Sequence, residues 1–324
     1  MIGGYMDKRE RVLAVMNGQK PDKVPSGFWL HFGPEAFHGE KAVSTHLRFF
    51  EDSKTDICKI MNENLIPQDH ELKTAADWSN LQPLKTDSEG FIRQVELVRT
   101  VADAVKDKVF LLATIHGVVA SASHLVGGPN LYDVNRKILV RHLRENPEGM
   151  KHGLRIITDY LVALAQACLD AGADGIYYAA LGGERAMFDD HEFAEVIRPL
   201  DLQVLEAADG RTCYNVLHIC KEHVNLERYL GYPGEVVNWG IHERNPSLTE
   251  GKAIFPGKIL LGGLDDRSGV LVDGSKEDIT AAVHAVLDEM GDELFFLGAD
   301  CTLPSDIDLN RIRLAVDAVN SYHK

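Results

Sequence analysis

A chain of 324 residues with 45% hydrophobic and 26% charged content has ordinary globular composition, which excludes disorder, collagen and coiled coil as its overall character. Its formal net charge of −15 argues against a broad phosphate-binding surface, so nucleic acid is not an expected partner. No apolar run approaches the roughly 18 residues of a membrane span, and the opening residues lack the apolar stretch of a secretory signal; no membrane association and a cytoplasmic setting are expected.

In chain order, Asp7 is placed to cap a helix over 8–17 that Gly18 closes. Strands are predicted over 24–32 and 56–61. The long segment 63–108 carries a hairpin-like piece over 81–101 and reads as an excursion from the main fold. A strand over 109–115 comes next. Leu154, Ile157, Leu161, Leu164 and Cys168 then recur at helical steps within 150–171, before Gly172. Four more strands follow over 175–180, 212–220, 236–241 and 258–264. Ser275 and Gly291 bracket a helix over 276–290, and the last strand spans 293–299. Eight strands with helical crossovers predict an α/β fold, a single (β/α)8 TIM-type barrel with an N-terminal helical extension, occupying 1–324 as one domain. No repeat or low-complexity linker divides the chain.

In such a barrel the active site is built at the C-terminal ends of the strands. Those ends carry His31, Asn62-Glu63-Asn64, His116, Gly182-Gly183-Glu184-Arg185, His218-Ile219-Cys220, Asn238-Trp239, His242, Asp265-Asp266-Arg267 and Asp300-Cys301. Residues i and i+2 of a strand share a face, so His218 and Cys220 can both point into the barrel mouth, with Cys301 reaching it from the last strand. One imidazole and two thiolates suit zinc and leave a fourth position open for substrate or water. The competing reading is plain: buried Cys and a hydrogen-bonded His at a strand end are common without any metal. The five cysteines are odd in number and scattered, which argues against a disulfide framework; Cys58, Cys168 and Cys213 read as core.

Glu184, after two glycines, is a candidate catalytic base or displaceable fourth zinc ligand, or simply an acid in the first turn of a helix. His31, Asn62, His116, Trp239, Asp265, Arg267 and Asp300 are candidate substrate contacts. Against this, Asp265 and Arg267 can pair with each other, the two histidines can be held by structural hydrogen bonds, and Trp239 and Tyr177-Tyr178 read better as core. Neither Gly127-Gly128 nor Gly262-Gly263 sits in a phosphate-loop frame, so nucleotide binding is unsupported.

Several stretches resemble the uroporphyrinogen decarboxylase superfamily: Arg9-Glu10-Arg11-Val12-Leu13 through Asp22-Lys23-Val24-Pro25, the Phe28-Trp29 strand, Gly172-Ala173-Asp174-Gly175-Ile176, Asn238-Trp239, Gly262-Gly263-Leu264-Asp265 and Gly298-Ala299-Asp300-Cys301. The resemblance spans nearly the whole chain and implies one βα barrel. Two chemistries occur within it. The metal-free decarboxylases hold an acidic tetrapyrrole with an arginine-rich N-terminal stretch, where this chain has Phe28-Trp29-Leu30-His31-Phe32-Gly33. The other branch comprises zinc methyltransferases that exchange methyl groups with a corrinoid protein, among them the methylcobalamin:coenzyme M enzymes. Their H-x-C and distant C motif is similar to His218, Cys220 and Cys301, which the resemblance implies as Zn2+ ligands. It further implies a methylcorrinoid supplied by a partner protein, and a small thiol or methylated compound as substrate. The alternatives are a metal-free decarboxylase of a uroporphyrinogen-like tetrapyrrole and a non-catalytic corrinoid- or thiol-binding protein. A homodimer is compatible with the barrel class and no residue requires it.

Overall fold

The computed structural model describes residues 5–66, 72–105, 108–128, 131–212 and 214–322. In chain order the main elements are α1 (Lys8–Met16), β1 (Ser26–Gly27), α2 (Gly39–Ser53), β2 (Ile57–Ile60), α3 (Glu89–Val105), β3 (Phe110–His116), α4 (Val118–Gly127), α5 (Tyr132–Glu145), α6 (Pro147–Asp170), β4 (Gly175–Ala180), α7 (Asp190–Glu192), α8 (Arg198–Asp209), β5 (Val216–Ile219), β6 (Val236–Trp239), α9 (Leu248–Ile254), β7 (Ile259–Leu264), α10 (Gly269–Asp273), α11 (Lys276–Met290), β8 (Phe295–Ala299) and α12 (Leu309–Asn320). The strands form one parallel sheet in the order β1-β8-β7-β6-β5-β4-β3-β2. The Asp56 amide donates to the Ser26 carbonyl at 2.9 Å while the Asp56 carboxylate accepts from the Ser26 amide and hydroxyl, which draws β2 against β1 and all but closes the barrel.

Alternation along each strand sorts side chains into two cores. Trp29, Ile57, Phe110, Leu112, Tyr177, Val216, Val236, Leu261 and Phe296 fill the barrel interior, and Val12, Val15 and Met16 of α1 pack with them. The opposite strand faces, with Cys58, Ile60, Leu111, Ile176, Tyr178, Leu217, Val237, Trp239 and Leu297, meet the surrounding helices. Helix α1 therefore plugs the barrel. It starts with a capping box between Asp7 and Glu10. Two arginines latch it to the strand starts: Arg9 forks onto Asp174, and the buried Arg11 bonds Asp22 and Asp56.

The eight predicted strands are all present, several of them shorter than expected. The Ser275 cap and Gly291, at φ 61°, bound α11 as expected. The hairpin over 81–101 is a correction: Glu89–Val105 is helical, burying Gln94, Leu97, Val98 and Val101 at three- and four-residue steps. That helix packs against α2 and α6 as the β2–β3 crossover, so it belongs to the outer ring and not to an excursion. Cys58 and Cys168 are core, and burial lifts both thiols to about 12. Cys213 lies outside the described residues. No helix among the described residues is long and apolar enough to cross a membrane.

Candidate metal centre and active site

On β5, Val216 and His218 face the interior while Leu217 and Ile219 face the helices, so Cys220 falls at the next inward position. Its amide still pairs with the Ala180 carbonyl at 3.1 Å, after which the chain turns through Lys221 at φ 88°. On β8 the pairing also runs one residue past the strand, Asp300 amide to Leu264 carbonyl at 2.8 Å, and delivers Cys301 to the same place. The ligand atoms of His218, Cys220 and Cys301 lie within 4.8 Å of one another.

The spacing fits a tetrahedral ion. Bonds of about 2.3 Å to sulfur and 2.0 Å to nitrogen set tetrahedral edges of about 3.8 Å for S···S and about 3.5 Å for N···S. The two sulfurs are 3.9 Å apart, and His218 Nε2 is 3.3 Å from Cys301 Sγ. For the bare residues, the hydrogen bond from Cys220 holds the Cys301 thiol well below its usual range, while the same bond and burial push Cys220 well above it. The two thiols therefore share a proton until a cation replaces it.

Asn238, inward-facing on β6, organises this set. Its Nδ2 donates to the carbonyls of Leu261 (2.9 Å) and Ala299 (3.2 Å), which can only accept. That leaves Oδ1 as acceptor for His218 Nδ1, 2.6 Å away, and for the Tyr177 hydroxyl at 3.1 Å. His218 thus carries its proton on Nδ1 and presents the Nε2 lone pair to the sulfurs. The Tyr177 ring stacks on the imidazole, centroids 5.2 Å apart.

Acidic groups flank the thiols. Burial, then the charges of Cys301 and Asp266, raise Glu243 to about 7, and burial raises Asp266 to about 6. Asp266 accepts from Arg267 Nε at 2.8 Å, and Asp300 accepts from the His242 amide (2.8 Å) and Nδ1 (3.0 Å). Through that second bond Asp300 raises the His242 pKa. Asp265 is turned away into its own loop, accepting from the amides of Arg267 and Ser268 and from the Ser268 hydroxyl. Arg267 pairs with Asp266 rather than with Asp265.

Glu184 is bent back as its two glycines suggested. Gly182 takes φ 90°, and a Cβ on Gly183 would come within 2.5 Å of the Tyr229 hydroxyl. The buried Glu184 carboxylate accepts from Gly182 N (3.0 Å) and the Tyr132 hydroxyl (3.0 Å), with Arg136 at 3.5 Å. It is not one of the three clustered ligands.

The remaining candidate contacts are held by other partners. His31 and Glu63 are paired at 2.7 Å, and His116 stacks edge-on against His124. Burial, with His124, His31 and Lys59 nearby, holds His116 well below the usual range. Asn62 is buried and accepts from the Asn64 amide within its loop. Trp239 is fully buried between β6 and α9, donating to the Pro246 carbonyl at 2.8 Å, and it takes no part in the mouth cluster. Sequence reasoning passed over Asn238 as a ligand-orienting residue, and it missed Glu243 and Lys59. Alternation on β2 and β6 puts Lys59 and Asn238 among interior residues, a signal available without the structure.

The family model described as uroporphyrinogen decarboxylase (URO-D) matches residues 60–322. No curated protein matches the sequence. Among solved structures, a methyltransferase from Methanosarcina mazei is similar with TM-score 0.79 and 18% identity, over 98% of this chain and 99% of the other. A B12-independent methionine synthase from Shewanella sp. W3-18-1 in complex with selenomethionine follows at TM-score 0.61 and 12% identity, covering 92% and 97%. A putative vitamin-B12-independent methionine synthase from Listeria monocytogenes gives 0.57 and 12%, covering 94% and 100%. At these identities the likenesses establish the shared fold.

Proposed function

This chain belongs to the uroporphyrinogen decarboxylase (URO-D) family, and we propose that within it the chain is a zinc-dependent methyltransferase, moving a methyl group between a corrinoid protein and a small thiol or methylated substrate. The observation that carries this reading is the His218, Cys220 and Cys301 set, with ligand spacing suited to zinc and the histidine tautomer held by Asn238. A methyltransferase and two methionine synthases among the similar folds agree with methyl transfer; the methionine synthases, being B12-independent, do not bear on the corrinoid.

His218 Nε2 and the two sulfurs would hold the ion and leave a fourth position toward the mouth. Bound there, zinc supplies Lewis acidity to a sulfur or other heteroatom, favouring its anionic form. The protein's part is to position. Asn238 fixes the imidazole, Tyr177 stacks against it, and the interior core keeps water from the barrel below. The open end of the barrel would receive the corrinoid carrier.

Elemental analysis of the purified protein and of a Cys220→Ala/Cys301→Ala variant tests the reading. The expected result is about one zinc per chain, lost in the variant along with methyl transfer from methylcobalamin to a thiol panel. Absence of zinc after reconstitution under reducing conditions, or full activity in the variant, overturns it and returns the metal-free decarboxylase to first place.

A further inference from the structure

Lys59 is the one lysine on an inward position of the described strands, and it is almost wholly buried. Among the described residues no carboxylate is ion-paired with it, and Glu63 is engaged by His31. Its ammonium rests over the rings of Tyr177 (4.2 Å) and Trp29 (5.1 Å), and among the described residues it hydrogen-bonds only the Met61 sulfur, at 3.3 Å. A buried cation without a counter-ion is among the costliest arrangements in a protein, and a thioether is a weak acceptor. An apolar residue would fill the same interior layer without that cost.

The geometry relates Lys59 to the metal set. Tyr177 carries Lys59 on its ring, stacks on His218, and shares Asn238 with it. The titratable groups whose charges reach the ammonium are Cys301, Glu63 and Cys220, and Lys59 in turn is felt by His116 and His46. Cys301 is the strongest of the favourable ones. A divalent ion with two thiolates and a neutral imidazole is uncharged, so a third sulfur arriving as an anion leaves one negative charge unbalanced in the interior. Arg267 and Lys221 also feel these thiols, but Arg267 is paired with Asp266 and Lys221 lies over the Tyr132 ring, which leaves Lys59 as the buried amine of the barrel interior that both sulfurs reach.

We infer that Lys59 is the base that takes the proton of a substrate thiol and then remains as the counter-ion of the thiolate. The S–H bond breaks, its electron pair stays on sulfur, and the proton forms a new N–H bond at Nζ. No electron changes hands and no further reactant is needed. Burial supports this chemistry, since it lowers the lysine to about 7, where the neutral amine is available. The inference rests on the proposed zinc site and concerns a thiol substrate.

The test counts protons. Protein reconstituted with Co2+ is titrated with 2-mercaptoethanol in weakly buffered solution at pH 8, the cobalt–sulfur absorption band reporting binding and an indicator dye reporting acid. Wild type should release close to zero protons per thiol bound, and Lys59→Met about one, with thiol affinity reduced about tenfold and one metal per chain retained. Lys59→Gln should behave as Lys59→Met does. Release of about one proton by the wild type overturns the inference even if neither variant folds, as does equal release by wild type and variants. Failure of the wild type to bind metal overturns the zinc reading itself, and the inference with it.

Discussion

The side-chain oxygen of Asn238 lies 2.6 Å from His218 Nδ1, while its amide nitrogen is pinned by carbonyls of β7 and β8. One residue on β6 thus ties the metal-facing tautomer of a β5 histidine to β7 and to β8, the strand that leads to Cys301. Replacement by Leu removes the acceptor and leaves two buried carbonyls unpaired. Asn238→Leu should lower zinc affinity by about 10- to 100-fold in a chelator competition and destabilise the fold by about 1–3 kcal/mol in urea unfolding. Unchanged zinc affinity would show that the hydrogen bond does not set the tautomer.

Glu184 is enclosed by Tyr132, Arg136 and the Gly182 amide and stands apart from the three ligands. Glu184→Gln should therefore retain about one zinc per chain while losing transfer activity, if the carboxylate acts on substrate. Loss of the metal in this variant would place Glu184 among the ligands.

Asp201 is fully buried under the hydroxyls of Tyr178 (2.5 Å) and Tyr232 (3.4 Å), and burial raises its carboxyl to about 7. Its unfolded value is about 3.9. The folded chain therefore holds the proton across that window. The contribution is fully present below about pH 4 and is lost as pH rises toward 7, a fall on the order of 3 kcal/mol between pH 5 and pH 8. Asp201→Asn keeps an acceptor for one tyrosine, can donate its N–H to the hydroxyl oxygen of the other and cannot ionise, so urea unfolding at the two pH values should show the variant's stability changing less than the wild type's. Parallel pH dependence in the two proteins would mean the carboxyl is not the source.

Arg11 is buried against Asp22 and Asp56 at 2.6 Å each, holding α1 in the bottom of the barrel. Arg11→Met strands the buried Asp56 charge and should cost about 3–5 kcal/mol in chemical denaturation. Asp56 keeps its bonds from Ser26, so the further change Asp56→Asn should recover part of the loss.

Much of this was legible in the linear chain. Apolar runs alternating with helical periods mark the strands and the βα order because burial on both faces of a parallel sheet demands them. Asp7, Ser275 and Gly291 mark helix ends because a cap is a local transaction between neighbouring residues. The H-x-C spacing of His218 and Cys220 puts two ligands on one strand face by the two-residue repeat alone. The helix at Glu89–Val105 was misjudged although Phe91, Val95, Val98, Val101 and Val105 recur at three- and four-residue steps, a helical period present in the sequence; packing against α2 and α6 then sets it in the outer ring. What the tertiary structure decided lies across the barrel. Cys301 is 81 residues from Cys220 yet its sulfur is 3.9 Å away, since β5 and β8 end at the same rim. Asn238 and Lys59 acquire their meaning only when ring closure brings Tyr177, His218 and the two thiols around them, for electrostatics and hydrogen bonding act through space and leave no periodicity in the sequence.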